Sequence, residues 1–167
     1  VVAQNAMVEG AAPGAAAGHA GTALVEIYQN CNIFNDGAFG VLKDNDTRDD
    51  WTIPLQHDQP LRFGATGAKA VVRSADGSLA IEQDVATDDP RVVVHDAHAE
   101  NPAYAFALSR LQSIDTRYAP MGVFRSVERP TYDAQMAAQL DTAAAKAPGD
   151  SAALQSLLLG ADNWRVN

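Results

Sequence analysis

Cys31, the one cysteine in the chain, and the histidines His19, His57, His95 and His98 are the side chains best suited to nucleophilic, acid–base or metal chemistry. Residue type leaves Cys31 three readings. It can be a small buried hydrophobe whose sulfur does nothing, or a thiolate nucleophile, which needs a base within hydrogen-bond reach. It can also be a metal ligand, which needs partners, because one thiolate cannot hold zinc or an iron–sulfur cluster alone. Spacing does not place His57, His95 or His98 against it, and His19 is expected at the surface. His95-Asp96-Ala97-His98 would turn both rings to one side only on a helix. The segment leaves a β-branched run, so capping and strand-end hydrogen bonds are expected there rather than a metal. Asp44-Asn45-Asp46 resembles the start of a calcium loop but lacks that loop's later glycine and glutamate, so a solvated loop is expected. Arg125, Glu128 and Arg129 could meet an anion or a subunit. The plainer expectation is a solvated strand end with a local ion pair.

The element that positions Cys31 is GTALVEIYQNCNIFNDG, Gly21 to Gly37. Ala23 to Tyr28 is a nearly continuous apolar, β-favouring run, which predicts a buried strand of a parallel sheet. Two polar turns follow, Gln29-Asn30-Cys31-Asn32 and Asn35-Asp36-Gly37. Ligands of open α/β sheets gather beyond the carboxyl ends of the strands, and Cys31 stands at such an end.

Upstream, residues 1–20 are rich in Ala and Gly with one Pro, which predicts a short frayed helix at best. Downstream, Ala38 to Leu42 can form one helical turn, and Trp51 to Phe63, with Pro54 and Pro60, reads as an edge strand or extended loop. Lys69–Arg73 and Leu79–Gln83 flank Asp76-Gly77 and predict a hairpin, with Arg91–His95 as a third strand. Asn101-Pro102 is a helix start, and Tyr104, Leu108 and Leu111 share its apolar face. Pro120–Val127 is a further strand. Thr131 caps a helix from Tyr132 to about Ala147, whose Met136 and Leu140 are expected to face inward, and Ala147-Pro148-Gly149-Asp150 ends it. Ser151 is expected to cap the last helix, with Leu154, Leu157 and Leu158 inward and Gly160 closing it. Trp164 is an exposed-aromatic candidate for a subunit contact.

The 167 residues suffice for one domain with its own core, and 47% apolar and 20% charged residues are ordinary for a globular protein. A net charge of −9 argues against a nucleic-acid or anionic-membrane partner. A single cysteine suits a reducing cytoplasm. No apolar run approaches the roughly 20 residues of a membrane helix, and the Ala-rich start lacks the basic segment of an export signal.

VEIYQNCNIFNDGAF is similar to the C-terminal half of the β subunit of 2-oxoacid:ferredoxin oxidoreductases, particularly the actinobacterial 2-oxoglutarate type. There a strand ending in VEI-x-Q/S-x-C-x-x-(F/Y)-N follows the thiamine-diphosphate-binding core. The likeness continues through KDNDTRDDW, RFG, VVVHDAH, GVFRSVERPTYDAQMAAQLDTA and LLLGADNW. It covers residues 21–167, with a core-end strand over 21–31, and leaves 1–20 as a poorly matching lead-in. The resemblance implies an α/β fold: the C-terminal portion of a thiamine-diphosphate-binding fold, with a small antiparallel hairpin region and C-terminal helices.

It also implies an enzyme subunit. The complete enzyme carries out oxidative decarboxylation of a 2-oxoacid to acyl-CoA and passes electrons through an iron–sulfur cluster to ferredoxin. Its cofactors are thiamine diphosphate, Mg2+ and a 4Fe–4S cluster, and an α subunit is its partner. Cys31 stands at the family's fourth cluster-ligand position. The family's other three cluster cysteines, and its G-D-G motif for the magnesium diphosphate, do not occur in this chain. The expectation is therefore a C-terminal piece, inactive and without cofactor by itself, whose catalytic residues are unassigned. A sheet lacking its earlier strands would also expose apolar surface. Two other readings stay open: a non-catalytic α/β interaction module, and a thiol enzyme using Cys31.

Overall fold

The computed structural model describes residues 2–5, 11–111, 118–146, 150–160 and 164. In chain order the elements are β1 (Val2–Asn5), α1 (Ala11–Gly18), β2 (Leu24–Ile27), α2 (Gly40–Lys43), α3 (Arg48–Trp51), β3 (Thr52–Leu55), β4 (Arg62–Phe63), β5 (Lys69–Arg73), β6 (Leu79–Glu82), α4 (Ala103–Ser109), β7 (Ala119–Arg125), α5 (Tyr132–Lys146) and α6 (Asp150–Leu159). They fall into two compact units, Val1–Glu128 and Arg129–Asn167.

In the first unit a four-stranded mixed sheet has the order β2-β1-β7-β3. β1 runs parallel to β2 and antiparallel to β7, and β7 runs parallel to β3. The α/β class, the parallel pairing of β2 and the hairpin region match the sequence expectation. Two features differ. β1 arises where only a frayed helix was expected, and it occupies an inner position of the sheet. β2 was expected to be buried but is largely exposed, with Leu24 at 61% and Ile27 at 67%. It is the terminal strand, so its apolar composition reports a strand suited to burial and not one buried here.

The predicted edge strand is β3, at the other end of the sheet, where exposed Pro54 points out between buried Ile53 and Leu55. Within β7, Gly122 lies opposite Leu55 with φ +132, and a Cβ there would run into the Leu55 carbonyl. Only glycine permits that close approach.

The second sheet, β4-β5-β6, is antiparallel. Its hairpin closes as Asp76-Gly77 predicts. Ser74 N–H donates to Ser78 O at 2.9 Å, Gly77 N–H donates to Ser74 O at 2.9 Å, and Gly77 takes φ +85. Arg91–His95 is extended but not a regular strand. It makes isolated bridges, Val92 with Val72 and Val94 with Pro60, because it threads between two partners and pairs continuously with neither.

The core joins Ile53, Leu55 and Phe124 of the first sheet to Phe63 and Val71 of the second, with Leu108 of α4 closing it. Full burial of each such side chain stabilises the fold by roughly 1.5–3 kcal/mol. Asn101 Oδ1 accepts the Ala103 N–H at 2.9 Å, but α4 starts one residue later than expected: Pro102 stands at the N-cap and not at the first helical position, so Asn101 lies just outside the cap. A smaller cluster of Leu42, Ala119 and Met121 is covered by Tyr28, Phe39 and Trp51. The charged loop before β3 contains α3, which was not expected there. Lys69 binds the Asp50 carboxylate at 3.1 Å while its ammonium lies within 5.6–6.0 Å of the Trp51, Phe63 and Tyr118 rings.

In the second unit Thr131 Oγ1 accepts the Ala134 N–H at 3.3 Å and begins α5 as predicted. Its stripe does not face a core: Leu140 is 66% exposed and no residue of α5 is buried. Leu154, Leu157 and Leu158 of α6 are likewise exposed. Periodicity marks a face that can be buried, and here no described residue of the unit buries it. α6 begins at Asp150, which puts Ser151 inside the helix instead of at its cap. Gly160, with φ +68, closes it as expected. The helix stop at Ala147-Pro148-Gly149 lies outside the described residues. Trp164 is exposed as anticipated. Among the described residues no helix is long and apolar enough to cross a membrane.

Candidate functional site

The turn after β2 is built around Cys31. Tyr28 stacks on Phe39 with centroids 4.8 Å apart, which folds the segment back on itself. Asn30 pins the far side, its Oδ1 accepting the Gly37 N–H at 2.9 Å and its Nδ2 donating to Asp36 Oδ1 at 3.0 Å. Inside this clasp the Asn35 N–H donates to the Cys31 carbonyl at 2.9 Å. The Cys31 thiol is free and half-buried. Backbone hydrogen bonding from Phe34 and Ile33, and less from Asn35, holds the thiol below its ordinary range, against the opposing effect of burial. These donors favour the thiolate. N–H groups directed at a thiolate sulfur are also what tunes a cysteine ligand of an iron–sulfur cluster. The donor set of this turn, one thiolate, fits one ligand position of such a cluster. Asn30 was not singled out from sequence, since its two partners lie six and seven residues away with no periodic signal.

The histidines lie elsewhere. β3 and β7 run opposite to β1 and β2, so the residues after β3 and β7 leave the sheet at the end remote from Cys31. His57 follows β3, and His98 is tied to Ser126, just after β7, its Nδ1 lying 2.6 Å from the Ser126 carbonyl. The hydrogen bonds of His57, His95 and His98 go to groups other than Cys31.

At that remote end His57 and His98 meet edge to face, with centroids 4.4 Å apart. His57 Nδ1 accepts the Ala97 N–H at 3.3 Å, and its Nε2 lies 3.4 Å from Asp58 Oδ2. Asp58 has a positive φ of 60°, and its N–H donates to the His95 carbonyl at 2.8 Å. The contact between His57 and His98 spans two turns remote in sequence and carries no sequence signature.

His95 and His98 part company, as the strand-end reading expected. His95 is fully buried, with Nε2 2.8 Å from the Val123 carbonyl and Nδ1 3.0 Å from the Tyr104 hydroxyl. Burial lowers its pKa. Asp96 Oδ1 accepts the His98 N–H at 2.8 Å, a local turn cap. Among the described residues no group of three or more His, Cys, Asp or Glu is placed to hold a metal ion.

The remaining candidates resolve locally. Asp44 Oδ1 accepts the Asp46 N–H at 2.8 Å, an Asx turn inside the charged loop. Arg125 donates to the carbonyls of Ala99 at 3.2 Å and Glu100 at 3.0 Å. His19, expected at the surface, is half-buried just after α1.

No family model matches the chain, and no solved structure matches it. Over 154 residues it is 47% identical to the 2-oxoglutarate oxidoreductase subunit KorB of Mycobacterium tuberculosis. The match takes in 92% of this chain and 40% of KorB, so the chain spans about two fifths of that relative's length.

Proposed function

We propose that this chain, a relative of part of the 2-oxoglutarate oxidoreductase subunit KorB, serves as the C-terminal part of the β subunit of a 2-oxoacid:ferredoxin oxidoreductase. The likeness to KorB over nearly the whole chain carries this reading. In the complete enzyme a 2-oxoacid, 2-oxoglutarate in the KorB type, is decarboxylated oxidatively and its acyl group passes to coenzyme A. Thiamine diphosphate and Mg2+ supply the decarboxylation chemistry and are held by parts of the enzyme other than this chain. The α subunit and ferredoxin are its partners, and the cytoplasm is its compartment.

This chain's own contribution is Cys31, as one thiolate ligand of a 4Fe–4S cluster, which supplies one-electron transfer when bound. Two local features support that role. The N–H groups of Ile33, Phe34 and Asn35 stabilise negative charge on Sγ before any iron arrives. The Asn30 clasp and the Tyr28–Phe39 stack fix the direction in which the thiolate is presented. The chain has one cysteine, so the other three ligands come from another polypeptide segment, and the chain alone holds no such cluster and is inactive.

Cys31→Ser in the complete subunit tests the assignment through the cluster's visible absorption and its paramagnetic resonance after reduction. Loss or alteration of both is expected. An unchanged spectrum at full iron content would remove Cys31 from the ligand set.

A further inference from the structure

Among the described residues β2 pairs only with β1 and ends the four-stranded sheet. Leu24 and Ile27 fall on opposite faces of the strand, and both are exposed, at 61% and 67%. A strand that is apolar on both faces belongs inside a sheet with layers above and below it. Strands that remain at an edge are usually blunted by proline, lysine or a bulge. β2, with the sequence LVEI and unbroken register, has no proline, lysine or bulge; its short length and the exposed Glu26 are its only blunting features. The turn that follows extends the same surface: Ile33 is 77% and Phe34 90% exposed, flanking the residue that presents its thiol.

We propose that this edge is an interface for a polypeptide corresponding to the part of KorB that this chain does not span. That polypeptide adds a β-strand beside β2 and packs apolar side chains on Leu24, Ile27, Ile33 and Phe34. The inference rests on reading the chain as part of a 2-oxoacid oxidoreductase β subunit, and it names the partner of the Cys31 turn. The choice of occupant has two grounds. The relative matched at 47% identity is far longer, and only 40% of it is represented here. A second copy of this chain would bring a single further cysteine, too few for the cluster that Cys31 serves. A segment docked on β2 and Phe34 reaches the end of the strand where Cys31 stands, and can deliver its own thiolates there.

The test compares amide hydrogen exchange in two proteins: this chain alone, and full-length KorB carrying this chain in place of its matched 154 residues. Exchange over residues 22–35 is expected to slow at least tenfold in the hybrid. Phe34→Asp should lower the melting temperature of the hybrid and leave that of the isolated chain unchanged. Equal exchange in the two proteins, or a Phe34→Asp effect equal in both, overturns the interface. So does a dimer of the isolated chain in which residues 22–35 are already protected. The cluster reading fails by a separate route. If Cys31→Ser keeps the hybrid's cluster spectrum while exchange still slows, Cys31 is not a ligand and the interface stands.

Discussion

His95 Nε2 lies 2.8 Å from the Val123 carbonyl oxygen, and this bond joins the extended run before α4 to the centre of β7 inside the core. A carbonyl only accepts, so Nε2 carries the proton and Nδ1 is the acceptor of the Tyr104 O–H at 3.0 Å. Burial pushes the Tyr104 phenol up to about 12, which keeps that donor protonated. The ring thus satisfies two buried groups on two elements. His95→Phe keeps the volume and abandons both. Each orphaned buried group costs about 1–3 kcal/mol, so a loss of roughly 2–4 kcal/mol is expected from urea unfolding. A change below about 0.5 kcal/mol would mean that water satisfies these groups instead.

The same histidine makes stability depend on pH with a defined sign. Burial lowers its folded-state pKa below the ordinary 6.5. The unfolded chain therefore takes up the proton first as pH falls. The contribution of neutral His95 is complete above about pH 6.5 and declines as the pH drops from there toward the folded value. The depressed carboxylate of Asp89 acts lower, below its ordinary 3.8, and does not confuse this window. Unfolding midpoints between pH 7.5 and 5 should fall more steeply for the wild type than for His95→Phe. Parallel slopes would show that His95 is not the titrating group.

What the sequence made legible was local chemistry. Asp76-Gly77 demanded a hairpin because its left-handed glycine is a property of the turn itself, and Thr131 capped its helix because its donor lies three residues away. β1 was missed because Val2–Asn5 is too short to show periodicity and is defined by its neighbours β2 and β7. The apolar stripes of β2, α5 and α6 were recognised, but a stripe records a need for cover and does not say which chain provides it. For Cys31 the pattern gave a strand end. Nothing in residue spacing announced the backbone hydrogen bonding that lowers the thiol, since it follows from the backbone path of the turn.

Gly122 is the residue through which β7 accepts β3. Its φ of +132 is strained for any other residue, and an added Cβ meets the Leu55 backbone, which cannot swing aside as a side chain can. Gly122→Ala is expected to cost roughly 3 kcal/mol or more, by strain together with overpacking. Gly40, the first residue of α2, has open space around it and no left-handed backbone. Gly40→Ala should therefore stabilise by about 0.4–1 kcal/mol through the unfolded state. The pair of urea midpoints should move in opposite directions, and a Gly122→Ala midpoint no lower than that of the wild type would refute the close approach of the two strands.

The Cys31 turn makes a prediction for the chain as it stands, without iron. N–H groups of Phe34, Ile33 and Asn35 lower the thiol, so the folded protein holds more thiolate at neutral pH than a free cysteine, whose pKa is about 8.5. The alkylation rate with iodoacetamide, followed against pH, should half-rise at lower pH in the folded chain than in the same chain unfolded by urea, because the donors depend on the fold. Superposed profiles would mean that the three N–H groups do not act on the sulfur. A folded profile shifted upward would return Cys31 to the class of buried, inert thiols, and with it would go the local support for its place as a ligand.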